Sequence, residues 1–225
     1  MNLLKKLFTY YKKNKYPISH GKTGIKEVGH RTYVGGLWDE IGKLQFEFLI
    51  NNGLKPSDIF MDIACGSLRA GIHLIPYLNE GNYLGIDKEE DLINLGISKE
   101  LDNKWLNIKK PELLISNSFE FNKFSKVPNF AIAQSLFTHL PPDLINFCFK
   151  KLSFHFDKKG VFFATYFVSE KKHDNPKKAH DHGIFKYTIE EIKSFGYSNG
   201  WDVEFIGDWN HPRNQQIVKY TLKNI

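Results

Sequence analysis

The chain has 225 residues, 41% of them hydrophobic, and its nineteen phenylalanines supply ample core for one α/β domain with a small addition. No apolar run approaches the ~20 residues of a membrane span, no signal-peptide pattern is present, and the two cysteines fit a reducing compartment, so we expect a cytoplasmic protein. The net charge of +6 invites nucleic acid, but the lysines are scattered without an RNA-binding signature, so we do not expect that partner.

Residues 1–16 are rich in lysine but place five apolar side chains on one helical face: Leu3, Leu4, Leu7, Phe8 and Tyr11. Such a helix is able to make a weak contact with an anionic membrane surface, although we favour packing on the domain or over its ligand. A second helix is predicted over Trp38–Asn52, where apolar residues recur at helical spacing before Gly53. We therefore predict a helical N-terminal segment or lid, residues 1–53, packed on a core domain of residues 54–225.

Seven predicted strands follow, and helices separate most of them. Helical patterns cover about 68–78 and 92–98, another helix opens at Pro141-Pro142, and Thr188 begins a fourth with a capping box. The predicted strands are Ile59–Ile63, Tyr83–Ile86, Glu112–Ile115, Phe130–Gln134, Gly160–Phe167, Trp201–Ile206 and Gln216–Leu222. Because no helix-length segment separates the last two strands, they form an antiparallel hairpin. The predicted fold is α/β, with a mainly parallel seven-stranded sheet, an antiparallel last strand and helices on both faces.

A glycine-containing turn is the most informative local feature, and it lies in residues 59–71, IFMDIACGSLRAG. Asp62 closes an apolar strand, Gly66 stands in the turn, and a helical pattern follows. About 20 residues later, Asp87 closes the next strand. Such a turn over a helix start, with an acid ending the next strand, suits a nucleoside-bearing cofactor. Gly66 and Gly71 do not make the spacing G-x-G-x-x-G, which argues against a dinucleotide.

Four stretches, together with this strand order, resemble class I S-adenosylmethionine (SAM) dependent methyltransferases, and within them a bacterial group. They read YVGGLWDEIGKLQFEFL (33–49), DIACGSLRAGIHLIPYL (62–78), AIAQSLFTHLP (131–141) and GDWNHPRNQ (207–215). The resemblance covers nearly the whole chain, and it implies a Rossmann-like fold with SAM as methyl donor and S-adenosylhomocysteine as product. The chain departs from the usual three-glycine loop, because Ala64 and Leu68 stand at the first and third glycine positions.

The resemblance implies a set of cofactor-binding residues around this turn. Asp62 would accept from the amino group of SAM, or cap the helix instead. Ala64 and Gly66 would let the cofactor approach the backbone. Asp87 would accept two hydrogen bonds from the ribose hydroxyls, and Lys88 would line the adenine edge. The alternative for Asp87 is an ordinary surface residue in an acidic run.

The resemblance also implies contacts after the third and fourth strands. Related enzymes often place an acid near the third strand to bind the adenine amine, and this chain has Asn117, Ser118 and Phe119 there. Neutral hydrogen bonds and a ring contact would replace the acid, unless these residues form an ordinary turn. Gln134, at the end of the fourth strand, would contact the methionine part of SAM or serve as a buried structural amide.

His139 is the first candidate for a general base, because it follows the fourth strand on the acceptor side. Methyl transfer is an in-line displacement that depends on alignment of the acceptor with the methyl group. A hydroxyl acceptor must also lose its proton, and a neutral imidazole near pH 7 suits that task. The alternative is a histidine that caps the next helix or shapes its loop.

The hairpin GDWNHPR supplies the predicted acceptor-binding residues and a second candidate base. Asp208 and Asn210 are polar, Trp209 offers a face for a sugar ring, and Arg213 suits a phosphate or carboxylate. His211 is the second candidate base, oriented by Asp208. The alternative is a turn whose polar groups satisfy one another, with Arg213 paired to Asp208.

Two further segments are expected near the acceptor. The polar stretch 169–186 contains three histidines and two aspartates, but its spacing matches no metal signature, so we expect a mobile loop and no metal. The segment 31–38 has a hinge-like glycine pair between Tyr33 and Trp38, which could cover the cofactor. The group resemblance favours a sugar hydroxyl or glycan precursor as acceptor. A phosphate-like oxygen and a non-catalytic SAM-binding or partner-binding module remain alternatives, and the oligomeric state stays open.

Overall fold

The computed structural model describes residues 18–224. The helix that we predict for residues 1–16 lies outside the described residues. None of the helices within 18–224 combines the length and the apolar character that crossing a bilayer requires.

A mainly parallel sheet forms the centre of the fold. Its strands are β1 (Phe60–Ile63), β2 (Tyr83–Asp87), β3 (Glu112–Ile115), β4 (Phe130–Ala133), β5 (Val161–Val168), β6 (Lys186–Tyr187), β7 (Trp201–Gly207) and β8 (Gln216–Leu222). The order is β3-β2-β1-β4-β5-β8-β7, and β6 pairs with the end of β5. Strands β1 to β5 run parallel, whereas β8 is antiparallel to both β5 and β7. The predicted α/β class, parallel core and antiparallel last strand are confirmed, with β6 as an eighth strand.

Helices cover both faces of this sheet. They are α1 (Gly21–Val28), α2 (His30–Tyr33), α3 (Trp38–Asn51), α4 (Gly71–Tyr77), α5 (Glu90–Leu95), α6 (Asn103–Lys109), α7 (Pro142–Phe154) and α8 (Ile189–Tyr197), and α5 continues into a π-helical turn, Gly96–Glu100. Successive residues of β1 point to opposite faces, so Phe60 packs with α3 and α4, and Met61 packs in the cluster that holds α7 and α8. Because both faces are covered, β1, β2 and β4 are entirely buried.

Local signals explain which helix boundaries were predicted well. Thr188 accepts from the backbone N–H of Glu191 and Glu191 returns a bond to Thr188, which confirms the capping box. In contrast, α4 begins at Gly71 rather than near Leu68, because the preceding residues form a chain of turns. Helix α6 escaped prediction because none of its residues is buried, so it has no apolar stripe.

Candidate functional site

The turn after β1 holds an unusual backbone conformation. Ala64, Gly66 and Leu68 have φ values of 63°, 55° and 63°, so left-handed residues alternate with others along the loop. Alternation of this kind turns successive N–H groups toward a common concave side, which favours an anionic ligand. Ala64 and Leu68 therefore hold a backbone conformation that glycine adopts more readily than other residues.

Asp87 joins the end of β2 to this loop. Its side chain is only 8% exposed, and its two carboxylate oxygens accept from the backbone N–H groups of Gly66 (2.8 Å) and Glu89 (2.9 Å). Burial raises the pKa of this carboxyl group, and the two backbone donors oppose the shift. Each oxygen retains a second lone pair, so the carboxylate is able to accept the two hydroxyl groups of a ribose.

Asp62 is the second buried carboxylate at this edge. It is 3% exposed, and its Oδ2 accepts from the Tyr83 hydroxyl at 2.8 Å. Burial raises its pKa to about 6, and the charge of Asp87 adds to the shift. Asp62 is thus ionised near neutral pH, and the protein offsets little of the cost of burying its charge.

Arg69 completes the turn, and the sequence prediction missed it. The side chain is 8% exposed; Nη1 donates to the carbonyls of Val34 and Gly36 at 3.2 Å each, and Nη2 donates to Gln134 Oε1 at 2.6 Å. Burial lowers its pKa to about 10, and the nearby charge of Arg213 contributes. The sequence did carry a sign that Arg69 has a partner. A positive charge near the beginning of an apolar helix is unfavourable unless it has a partner.

Gln134 links Arg69 to the hairpin. Its Nε2 lies 3.2 Å from Nε2 of His211, while the backbone N–H of Arg213 donates to Nδ1 of the same ring at 3.2 Å. Donors therefore face both ring nitrogens of His211. Burial and the charges of Arg69 and Arg213 lower the pKa of His211 to about 4. The neutral ring already carries one proton, and a second proton would point at one of these donors, which disfavours proton uptake by His211.

The hairpin corrects two further predictions. Trp209 is 5% exposed, donates from Nε1 to the carbonyl of Gln215 at 2.9 Å, and packs against Phe48 with ring centroids 5.2 Å apart. Its ring belongs to the core and offers no face to a sugar. Asp208 accepts from the backbone N–H of Asn210 and not from His211, so these two exposed residues form a local turn. Arg213 donates to the carbonyl of Gly35.

His139 has a defined tautomer. Its Nδ1 lies 2.6 Å from the carbonyl oxygen of Gly183, so Nδ1 carries the proton and Nε2 carries the lone pair. Burial lowers the pKa of His139 to about 4, although the bond to Gly183 opposes the shift. The ring is therefore neutral near pH 7, with Nε2 available to accept a proton.

The loop 169–186 docks on the N-terminal segment through Asp181. Its carboxylate accepts from Lys88 Nζ at 2.5 Å, from the Tyr33 hydroxyl at 2.8 Å and from His20 Nδ1 at 3.1 Å. Burial disfavours the charge on Asp181, but the bonds from Lys88 and Tyr33 outweigh it and hold the pKa well below its usual value. The ammonium of Lys88 is thus bound by this loop.

The residues predicted to contact adenine differ in their exposure and in their contacts. Asn117 is exposed, and the backbone N–H of Ser118 donates to Ser116 Oγ at 3.2 Å, as in an ordinary turn. Phe119 has a left-handed φ of 53° and packs near the ring of Phe147, with centroids 6.1 Å apart. Across residues 18–224, no group of three or more His, Cys, Asp or Glu side chains is placed to hold a metal ion.

A glycine-rich strap, residues 34–37, lies over the turn. A Cβ atom placed on Gly66 would lie 3.1 Å from Val34 Cγ1, so the side chain of Val34 packs closely on the backbone of Gly66. Within the strap, Gly35, Gly36 and Leu37 have φ values of 100°, 64° and 48°. Both Arg69 and Arg213 donate to strap carbonyls, which ties the strap to the turn and to the hairpin.

No protein-family model matches the chain. A magnesium protoporphyrin IX methyltransferase from Synechocystis PCC 6803, crystallised with SAM, aligns with a TM-score of 0.61 and 14% identity over 99% of this chain and 98% of its own. A SAM-dependent methyltransferase from Clostridium acetobutylicum has a TM-score of 0.58 and 14% identity, and covers 99% and 100% of the two chains. Human N-acetylserotonin methyltransferase with SAM has a TM-score of 0.66 and 9% identity, over 96% of this chain and 62% of its own. The chain therefore has the Rossmann-like fold of these SAM-dependent methyltransferases.

Proposed function

We propose that the protein is a SAM-dependent methyltransferase. One observation carries the proposal: two buried carboxylates, Asp62 and Asp87, lie near the carboxyl ends of the neighbouring strands β1 and β2, beside a turn whose left-handed residues alternate. Parallel α/β sheets bind ligands at the carboxyl ends of their strands. The fold likeness to proteins crystallised with SAM supports the same conclusion.

The donors and acceptors at this edge fit the parts of SAM. Asp87 would hold the ribose hydroxyls, because both of its oxygens keep a free lone pair. Asp62 would hold the amino group, since within the described part of the chain its buried carboxylate accepts from the Tyr83 hydroxyl and from no other group. Ser67 Oγ is buried in the same loop and has no hydrogen-bond partner among residues 18–224, which is expected of a site built around a ligand.

The residues of the chain would then align the reacting groups and exclude water from them. When bound, SAM supplies an activated methyl group on a sulfonium. The strap and the loop docked through Asp181 would exclude water from the acceptor side. His139 would accept the proton of a hydroxyl acceptor at Nε2, because Nδ1–H is held by the Gly183 carbonyl.

For the acceptor, we propose a hydroxyl on a sugar or a glycan precursor, on the basis of the group resemblance. The neighbours named above act on dissimilar molecules, so the fold does not choose among acceptors. A phosphate-like oxygen is the second candidate, because the guanidinium of Arg213 lies close enough to lower the pKa of Arg69. Two free, buried cysteines, Cys65 and Cys148, fit the expected cytoplasmic location. The division at residues 53 and 54 stays a prediction.

Titration calorimetry with SAM and with S-adenosylhomocysteine tests the cofactor. We expect binding by the parent chain and a loss of about 1–3 kcal/mol in Asp87→Ala, because a buried charged acceptor is removed. The matched control is Asp58→Ala, which also accepts a backbone N–H but lies at the opposite edge of the sheet. Failure of the parent to bind either ligand would refute the proposal.

Incubation of the protein with labelled SAM and a cell lysate, followed by untargeted mass spectrometry, tests the reaction. A labelled methylated sugar or glycan precursor is the expected product. A methylated phosphate-like oxygen would support the second candidate. SAM binding with no methylated product from any fraction would favour the non-catalytic module.

A further inference from the structure

Asp181 is the point at which three segments of the chain meet. Its carboxylate accepts from Lys88, which directly follows β2, and from Tyr33 and His20 of the N-terminal segment. The side chain is only 12% exposed, so water competes little with these donors. Because a buried carboxylate is unfavourable without donors, these bonds fix the loop at residue 181 from outside the loop.

The turn that carries Asp181 also holds His139. The backbone N–H of His180 donates to the carbonyl of His139 at 3.1 Å, and the carbonyl of Gly183 accepts from His139 Nδ1 at 2.6 Å. The N–H of Gly183 donates to the carbonyl of His180 at 3.1 Å, which closes residues 180–183 into a turn. Asp181 thus lies between the two residues that bond to His139.

Aromatic rings fill the space between this turn and the N-terminal segment. The ring of His20 packs on His180, with centroids 4.4 Å apart. The ring of Tyr33 packs edge-on against His182, with centroids 4.9 Å apart. Contacts on both sides of residue 181 therefore leave the turn little room to shift while the N-terminal segment is in place.

The orientation of His139 depends on the carbonyl of Gly183. That carbonyl keeps the proton on Nδ1, which leaves the lone pair on Nε2. If the turn moved, Nδ1–H would lose its acceptor, and the ring would exchange tautomers or rotate. The charge of Asp181 also reaches the ring, since burial lowers the pKa of His139 and Asp181 opposes that shift. A change at Asp181 should therefore alter this ring.

We propose that Asp181 is a positioning residue, which holds the Gly183 carbonyl in place and thereby keeps His139 oriented to take a proton from the acceptor. This inference rests on the proposed function, in which His139 is the base. A general base works only within hydrogen-bond reach of the proton that it removes. Loss of the support from Asp181 should therefore slow methyl transfer without removing the cofactor.

NMR of the histidine ring nitrogens tests the inference on the chain without ligand. His139→Ala identifies the His139 signals by their absence. We expect the proton on Nδ1 alone in the parent chain, and a mixture of both tautomers in Asp181→Asn. Asp174→Asn is the matched control, because Asp174 is an exposed residue of the same loop, and it should keep the parent's tautomer. An unchanged tautomer in Asp181→Asn would overturn the inference.

A double-mutant cycle tests whether Asp181 acts through His139. With labelled SAM and a cell lysate as the source of acceptor, Asp181→Asn should lower the rate of methyl transfer about 10- to 100-fold. In the His139→Ala background, the same substitution should change the rate less than about twofold, because the group that Asp181 positions is already gone. Equal effects in both backgrounds would show a general effect on the fold and would contradict the inference.

These outcomes separate the inference from the proposed function. If the parent binds neither SAM nor S-adenosylhomocysteine, the proposed function fails, and the ring measurement still decides whether Asp181 orients His139. If His139→Ala keeps the parent's rate, His139 is not the base, and the inference is wrong for catalysis. If Asp181→Asn does not fold, Lys88→Met removes a half-exposed partner of the same carboxylate; a mixture of tautomers then supports the inference, and the parent's tautomer contradicts it.

Discussion

The turn after β1 and the hairpin 207–215 are both rich in polar residues, yet they use them differently. In the turn, Asp62 and Asp87 are buried with hydrogen-bonding capacity to spare. In the hairpin, Asp208 bonds to the backbone of Asn210 and Trp209 bonds to the carbonyl of Gln215. The difference teaches that the density of polar residues does not identify a site. Unsatisfied capacity in a buried group does, because the polypeptide alone does not offset its desolvation.

The largest expected effect is on kcat, and it should differ between His139 and the hairpin's His211. His139→Ala should lower kcat about 10²- to 10⁴-fold, because the proton acceptor is lost, while the affinity for S-adenosylhomocysteine stays unchanged. His211→Asn should lower kcat less than about tenfold, since donors already face both nitrogens of that ring. Steady-state kinetics and calorimetry measure both quantities, and a reversed order would move the base to the hairpin.

The next effect tests the structural role of the hairpin's tryptophan. Trp209→Ala should lower the free energy of unfolding by about 3–5 kcal/mol, because a buried aromatic ring is removed from the core. Asp208→Ala, in the exposed turn beside it, should cost less than about 1 kcal/mol. Urea denaturation measures the difference. A small loss of stability together with a raised KM for the acceptor would restore Trp209 as a sugar-stacking residue.

The pH dependence of cofactor binding tests the role of the turn after β1 in its comparison with the hairpin. Asp62 must be ionised to hold an ammonium, and burial raises its pKa to about 6. The affinity for S-adenosylhomocysteine should therefore fall about tenfold between pH 7 and pH 5, as Asp62 gains a proton.

Two variants check the origin of this pH dependence by calorimetry at both pH values. Asp62→Asn should show weaker binding and a smaller slope, and any slope that remains reports Asp87, whose pKa burial also raises. Asp208→Asn should keep the parent's slope. A slope that survives fully in Asp62→Asn would remove Asp62 from the ammonium site.

The smallest effect concerns the backbone of the turn. Ala64→Gly should raise the free energy of unfolding by about 0.5–1 kcal/mol, because Ala64 holds a left-handed φ of 63° that glycine adopts without strain. Ala70→Gly, where φ is −81°, should lower the free energy of unfolding by about 1 kcal/mol. Thermal or urea unfolding measures both variants, and equal losses would show that the loop stores no backbone strain.

Much of the fold was predictable because its signals are local. The strand β8 was predicted at its observed bounds, and Thr188 with Glu191 confirmed the capping box. These features depend on neighbouring residues. The two-residue strand β6 depends on pairing with Phe167 and Val168, about twenty residues earlier in the chain. No local pattern in Lys186 and Tyr187 indicates that pairing.

The candidate site was predictable in part for a related reason. Asp62 lies one residue before the end of β1 and Asp87 ends β2, so their place at one edge of the sheet follows from the parallel topology. The ion pair of Lys88 was not predictable, because its partner, Asp181, comes from a loop far along the chain. The burial of Trp209 was not predictable, because its ring packs against Phe48, which lies far from it in the sequence.

The sequence by itself determined the class of fold, the edge of the sheet that carries the candidate site and the two carboxylates there, because strand periodicity and turn chemistry are short-range properties. Only the tertiary structure decided which polar groups keep free bonding capacity. It buried Arg69 against neutral oxygens, set the tautomer of His139 through Gly183, and bonded Asp208 and Trp209 to the backbone of their own hairpin. Desolvation and hydrogen-bond partners depend on segments that meet only in the folded chain.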